Sequence, residues 1–299
     1  MRSFLLILVA LFLSPGVSAI QPNRTYIRMP EQVGLVYEDL DVRTQDGYRI
    51  ATWFFPADRQ APQQKAAVPQ SAGDSAIRRP AIVICNGDAG NMSYFQLHLA
   101  RRWCEKGFHV ITFDWRGFGA SSEFEMDPDY LCYTEMLEDY RAVVSAVAAL
   151  PEVDPQRIAV VGWSTGAYLS MIAAYDMPQV GAFIGRSLAT DFEDFIPLVM
   201  QVRNKNRNQL LVPADFPTKR MPVHIASDFR KPIFLIVGEN DIRTPVWMSR
   251  KILELLPQNT PRELMVVKDA AHGGNEDPML IAFDEFIDRT ARFLHNNLP

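Results

Sequence analysis

The sequence predicts an α/β fold built on a mostly parallel central sheet with helices on both faces. Three observations carry that prediction. From Ala81 onward, short apolar runs alternate with longer segments of helical periodicity. One alternation, RIAVVGWSTGAYLSMIAAY, passes from an apolar run through a glycine-flanked serine into a helical pattern. The chain has 299 residues, 48% of them hydrophobic, enough to bury one large core at a size where α/β folds form a single domain.

The elements follow in order. MRSFLLILVALFLSPGVSAIQ has Arg2, an apolar core from Phe4 to Leu13 and a small-residue end at Val17-Ser18-Ala19. It reads as a signal peptide over 1–19, cleaved after Ala19, so that a single exported domain over 20–299 is expected in a periplasm or outside the cell. The apolar run falls short of the roughly 20 residues that span a bilayer, so no stable membrane anchor is expected. LVYEDLDVRT and YRIATWFFPA are β-rich runs joined by Gln45-Asp46-Gly47, the composition of a hairpin turn. A Pro/Gln/Ala-rich stretch at about 57–79 has little to bury and is expected to be a surface loop.

AIVIC, HVITFDW, RIAVVGW, VGAFIGRS, PIFLIVG and RELMVVK then read as strands. SYFQLHLARRWCEKG, YTEMLEDYRAVVSAVAAL, AYLSMIAAYDM and the closing LIAFDEFIDRTARFLHNN read as helices. Parallel sheets of this kind bind ligands at the carboxyl ends of their strands. Residues at about 189–231 break the alternation and are too long for an ordinary connection, so a small helical cap is expected there. Its Phe195, Ile196, Leu198, Leu210 and Leu211 suit an acyl pocket or the cap's own core equally well.

A formal net charge of −5 with no basic stripe excludes a nucleic-acid partner. Cys85, Cys104 and Cys132 are too few for a disulfide framework, and each sits in an apolar pattern where a free thiol acts as a small hydrophobe. Cys104 and Cys132 are expected to be the less buried of the three.

Gly162-Trp163-Ser164-Thr165-Gly166 fits GxSxG between a strand and a helix, the context that makes the serine a nucleophile on a strained turn. A serine hydroxyl needs a base to take its proton, and the base needs a group to fix its tautomer. Of five histidines, His98, His109 and His295 fall in helix or strand patterns and His224 in the cap; His272 alone follows the last strand in a glycine-containing loop, AAHGG. Asp241 stands a few residues past a strand end in GENDIRTP, with Glu239 and Asp191 as rivals; Asp269 is close to His272 in sequence, but neighbours on one loop rarely have the geometry to orient each other. The order Ser164, Asp241, His272 is that of one known triad arrangement.

With NGDAGN, FDWRGFGASS, GWSTGA, GENDIRTP and AAHGG in this order, the chain resembles the α/β-hydrolases, in the branch of serine aminopeptidase-like and monoacylglycerol-lipase-like enzymes. The resemblance covers roughly Val36 to the C-terminus. It implies the α/β-hydrolase fold with a small helical cap, a serine hydrolase cleaving a carboxylic ester of a small-molecule acyl substrate through an acyl-enzyme, and no metal or organic cofactor; the alternatives are an aminopeptidase or thioesterase of the same branch, or a noncatalytic binding protein of this fold. It also implies an oxyanion hole made by the backbone N–H groups of Asp88 and Thr165. Asn86 departs from the family, which usually has His there, and Asp88 brings a carboxylate that must point away from the oxyanion. Arg116 and Asp114 of DWRGFG are structural residues in this resemblance. Two sequons, at Asn23 and Asn91, are present; a glycan on Asn91 would obstruct the oxyanion loop.

Overall fold

The computed structural model describes residues 18–59 and 78–298. The expected signal peptide, apart from Ser18 and Ala19, and residues 60–77 of the expected polar loop lie outside the described residues.

Eight strands form the main sheet: β1 (Glu38–Arg43), β2 (Arg49–Phe55), β3 (Arg79–Ile84), β4 (His109–Phe113), β5 (Val153–Trp163), β6 (Val180–Arg186), β7 (Ile233–Gly238) and β8 (Arg262–Val267). Their order across the sheet is β8-β7-β6-β5-β3-β4-β2-β1. The hairpin β1–β2 and the pair β2–β4 are antiparallel, and every other pairing is parallel. Leaving β3, the chain goes first to β4 on one side and then to β5 on the other. The crevice at this reversal opens at the carboxyl ends of β3 and β5, where such folds hold their ligands.

Six principal helices cover the sheet: α1 (Gln96–Glu105), α2 (Met136–Ala148), α3 (Thr165–Asp176), α4 (Phe192–Arg203), α5 (Val246–Leu255) and α6 (Phe283–Asn297). Side chains alternate across β3, and this splits the core in two. Ala81 and Val83 join the residues of α2, α3, α5 and the cap segment, whereas Ile82 and Ile84 join those of α1 and α6. Helices therefore lie on both faces, as the fold class requires. No described helix is long and apolar enough to cross a membrane.

Three local readings change. Val246–Leu255 is a helix that the apolar pattern did not reveal, started by Pro245 at its N-terminal boundary. The closing helix is broken at Ala282, which ends Pro278–Ile281 and precedes α6. Cys104 and Cys132 are not the more exposed pair: all three cysteines are free and buried, and Cys132 is completely so, because each faces a packed helix or strand.

The 189–231 segment holds α4, capped by Asp191 accepting from Asp194 N–H at 2.8 Å, followed by short turns. It packs onto α3 through Phe192 and Phe216, whose rings meet Tyr168 edge-on. Phe195, Ile196 and Leu210 are buried in the same core. A second tie comes from the β4–α2 connection, where Leu211 N–H donates to Asp129 O at 2.7 Å and Leu131 N–H to Leu211 O at 2.9 Å.

Candidate active site

Ser164 stands between the end of β5 and the first residue of α3, at φ 52° and ψ −114°. A side chain rarely adopts this conformation, and close packing on either side enforces it. A Cβ on Gly162 would run into the main chain of Gly166 and Ser170 Oγ, and a Cβ on Gly166 into the carbonyl of Asn86. The two glycines of the motif are thus fixed by lack of space.

Ser164 Oγ lies 3.1 Å from His272 Nε2, and His272 Nδ1 lies 3.0 and 2.9 Å from the two oxygens of Asp241. The three side chains expected from sequence come together from three loops, each after a strand: β5, β7 and β8. With Nδ1–H donating to the carboxylate, Nε2 is left to accept the serine proton. Burial alone raises the Asp241 carboxyl; the charge and hydrogen bond of His272 and two donors from Thr244 outweigh it and bring it down to about 2. Thr244 Oγ1–H donates to Asp241 Oδ2 at 2.8 Å, while the N–H groups of Arg243 and Thr244 donate to Oδ1 at 3.0 and 2.8 Å. Thr244 was not singled out in the sequence, although an aspartate followed three residues later by Thr before Pro245 signals a side-chain-closed turn.

The rival carboxylates are used elsewhere. Asp191 caps α4, and exposed Glu239 accepts from Asp269 N–H at 3.3 Å. Asp269 itself is exposed, at φ 60° in the β8 loop.

The His272 loop is held by groups that sequence reasoning missed. Ala271 N–H donates to Glu276 O at 2.7 Å, and Asp277 accepts from Met279 N–H at 2.8 Å. Asp277 also pairs with Arg186 at the end of β6, and that guanidinium lies over the Trp163 ring at 3.8 Å. The ion pair joins residues 91 apart in sequence, so no local pattern could reveal it.

Across from the triad, the loop after β3 carries Asn86, Gly87 and Asp88. Asn86 is buried, donates to Asp114 Oδ1 at 3.0 Å, and accepts from Gln96. Asp114 also accepts from Met92 N–H at 2.7 Å and from Tyr26 O–H at 2.9 Å. The amide at position 86 thus ties the loop to a buried carboxylate. Burial drives the Asp114 carboxyl up to about 7, against the donors Met92, Tyr26 and Asn86. Arg116 is buried and committed to Asp139 at 2.7 Å and Asp46 at 2.6 Å, a structural role.

Thr165 is the first residue of α3, so its N–H has no partner within the helix. Asp88 N–H donates to no backbone carbonyl among the described turns and loops. The Asp88 carboxylate is turned to Arg203 at the end of α4, 2.7 Å away, and Arg203 also donates to Ser18 O and Ala19 O at 3.1 Å. Asn91 is buried, its amide bonded to Asn23 O and Thr25 O, so it is closed to glycosylation in the folded chain.

Ser164 is 6% exposed, Asp241 3% and His272 8%, so all three triad residues are buried. Among the described residues no cluster of three His, Cys, Asp or Glu side chains is arranged to hold a metal ion. The arrangement can accept a proton from a hydroxyl, attack a carbonyl and hold the resulting anion.

The model of the prolyl oligopeptidase family matches residues 93–297, more than half of the chain. An uncharacterized protein of Mycobacterium tuberculosis is 27% identical over 263 residues, covering 86% of this chain and 78% of its own. Among solved structures, the esterase Pf2001 of Pyrococcus furiosus has a TM-score of 0.72 at 17% identity, covering 94% of this chain and 98% of that one. A puromycin-hydrolyzing peptidase of M. tuberculosis has a TM-score of 0.69 at 18% identity, covering 88% of this chain and 39% of that one. At such identities the two structures speak for the fold alone, and neither branch suggested by the motifs is singled out. Family model, sheet order and serine turn agree: this chain is an α/β-hydrolase and belongs to the prolyl oligopeptidase family.

Proposed function

We propose that the protein is a serine hydrolase that cleaves a carboxylic ester through an acyl-enzyme. Ser164 attacks the carbonyl, His272 takes the proton and returns it to the leaving alcohol, and Asp241 fixes the imidazole and stabilises its charged form. Asp88 and Thr165 N–H groups receive the oxyanion, each worth about 3 to 4 kcal/mol in the transition state. Water then repeats the sequence on the acyl-enzyme. The observation that carries this reading is the continuous hydrogen-bond chain from Ser164 Oγ through His272 to Asp241. In purified protein, Ser164→Ala should lower hydrolysis of short p-nitrophenyl esters by on the order of 10⁴-fold or more while leaving the melting curve in place. Unchanged hydrolysis would remove Ser164 from the role.

The family's name favours a second reading, peptide hydrolysis. An aminopeptidase needs a free carboxylate for its substrate's ammonium. Of the cap acids, Asp194 is bound to Thr190 and Lys251 at 2.8 and 3.0 Å, Asp215 accepts from Thr134 at 3.0 Å, and Glu193 is exposed. The engagement of Asp194 and Asp215 supports the ester reading. Aminoacyl-amides and acylglycerols assayed side by side decide between them, and faster amide cleavage would reverse the order. The composition of residues 1–19 further supports export. N-terminal sequencing of protein recovered from a secreting host should begin at Ile20.

A further inference from the structure

The loop after β3 is braced by a stretch of chain that precedes the main sheet. Gln21 and Pro22 pair in parallel with Ala89 and Gly90, with Gln21 N–H donating to Asp88 O at 2.7 Å and Asn23 N–H to Gly90 O at 3.1 Å. The same arm is fastened to the turn after β4. Gly119 N–H donates to Asn23 O at 2.9 Å, Arg24 Nη1–H to Ser121 O at 2.6 Å, and Tyr26 O–H to Asp114 Oδ2 at 2.9 Å. Residues 21–27 thus bridge the loops that follow β3 and β4.

Asn91 is where the first of these loops grips the arm. The residue is buried, and its Nδ2 donates to Asn23 O at 3.0 Å and to Thr25 O at 2.8 Å. Its Oδ1 accepts from Ser93 N–H at 3.0 Å and from Ser93 Oγ–H at 2.6 Å, and Ser93 Oγ accepts in turn from Ile27 N–H at 3.0 Å. Both amide protons and both lone pairs of Asn91 are therefore used. A buried polar network satisfied to this degree rigidifies the segments that it joins.

Between Asn91 and the oxyanion donor proposed above stand only Ala89 and Gly90, the two residues paired with the arm. The Asp88 carbonyl is fixed by Gln21 and the Asn86 side chain by Asp114, so the peptide that presents Asp88 N–H is held from both ends. An oxyanion donor works over a narrow range of distance, and a misplacement of about 1 Å costs on the order of 10²-fold in rate.

We propose that Asn91 is a positioning residue for the oxyanion hole: by gripping residues 23–27 it holds the loop after β3 in the place from which Asp88 N–H meets the anion. This rests on the ester-hydrolase reading. Asn91 touches no reacting atom and acts through Asp88.

The test uses the full-length protein, with p-nitrophenyl acetate and the matching thionoester, in which sulfur replaces the carbonyl oxygen. Sulfur is a weak hydrogen-bond acceptor, so the oxyanion donors favour the ester and their displacement erodes that preference. Asn91→Ala should lower kcat on the ester by about tenfold or more with KM little changed, and should shrink the ester-to-thionoester ratio several-fold. Val147→Ala, a core truncation near the end of α2, should lower the melting temperature and leave the ratio intact. An unaltered kcat in Asn91→Ala overturns the proposal, as does a lowered kcat with an unaltered ratio. A ratio near one in the unaltered protein is equally fatal. Should Asn91→Ala fail to fold, Ser93→Ala, which releases Ile27 and removes one donor to Asn91, should move kcat and the ratio the same way, and an unmoved ratio refutes the role. The rate at which a fluorophosphonate labels Ser164 separates this proposal from the reading beneath it, because the phosphoryl oxygen draws on the same donors. Labelling that Asn91→Ala slows, in a protein that turns over neither ester, refutes ester hydrolysis and keeps Asn91 in its role. Equal labelling rates beside normal ester turnover refute the role of Asn91 alone.

Discussion

Asp241 accepts hydrogen bonds from three sources besides His272, and Thr244 Oγ1–H is the one that mutation can remove cleanly. A hydrogen bond to a charged group is worth about 1.5 to 3 kcal/mol. Thr244→Val should therefore lower kcat by about tenfold with KM little changed, as steady-state kinetics will show. Asp114 gives a prediction of opposite sign from most carboxylates. Its folded pKa of about 7 lies above the roughly 3.9 of an unfolded chain, so the native state binds the extra proton between those values. The stability contributed by that proton is fully present below about pH 4 and is lost as pH rises through about 7. Denaturant unfolding of Asp114→Asn should lack this loss, so the difference between wild type and variant should shift against the wild type from pH 4 to pH 8. Of the site, Ser164, His272 and Asp241 were legible because each follows a strand in a turn of distinctive composition. Thr244 was half legible, as part of an Asp-initiated turn.

At the scale of elements, three loops must hold their positions for the triad to exist. The one carrying His272 is clamped by Arg186 and Asp277, with Trp163 beneath the guanidinium. Asp277→Ala leaves Arg186 buried without a counter-ion, a change that typically costs about 3 to 5 kcal/mol. Its kcat should fall and its melting temperature should drop, whereas a substitution at exposed Glu193 should move neither. This clamp was invisible in the sequence because it spans β6 and the region after β8, and nothing local marks which arginine meets which aspartate. The alternation of strands and helices was plain, since buried parallel strands read as continuous apolar runs. Helix α5 was less legible because only Met248, Ser249 and Ile252 of its residues are buried, fewer than in any other principal helix. The break at Ala282 is likewise a tertiary outcome: Pro278 starts one short helix, and packing against the sheet redirects the chain into α6.

Across the whole molecule, one buried guanidinium joins regions far apart in sequence. Arg116 reaches Asp46 in the β1–β2 turn and Asp139 on α2, and lies over the Tyr48 ring at 4.2 Å. The two carboxylates outweigh the cost of its burial and hold it charged. Arg116→Ala should destabilise the fold by about 3 to 5 kcal/mol, read as a lower urea midpoint, because Asp139 is left buried and unpaired. The reach of Arg203 has another consequence. It grips the carbonyls of Ser18 and Ala19 on one side and Asp88 on the other, while Gln21 N–H donates to Asp88 O at 2.7 Å. Cleavage between Ala19 and Ile20 would cut away both carbonyls and leave Arg203 with Asp88 alone. A precursor and its processed product would then share every catalytic group yet differ in how firmly the oxyanion loop is tethered. Maturation of this chain would leave a measurable imprint on how fast Ser164 is acylated.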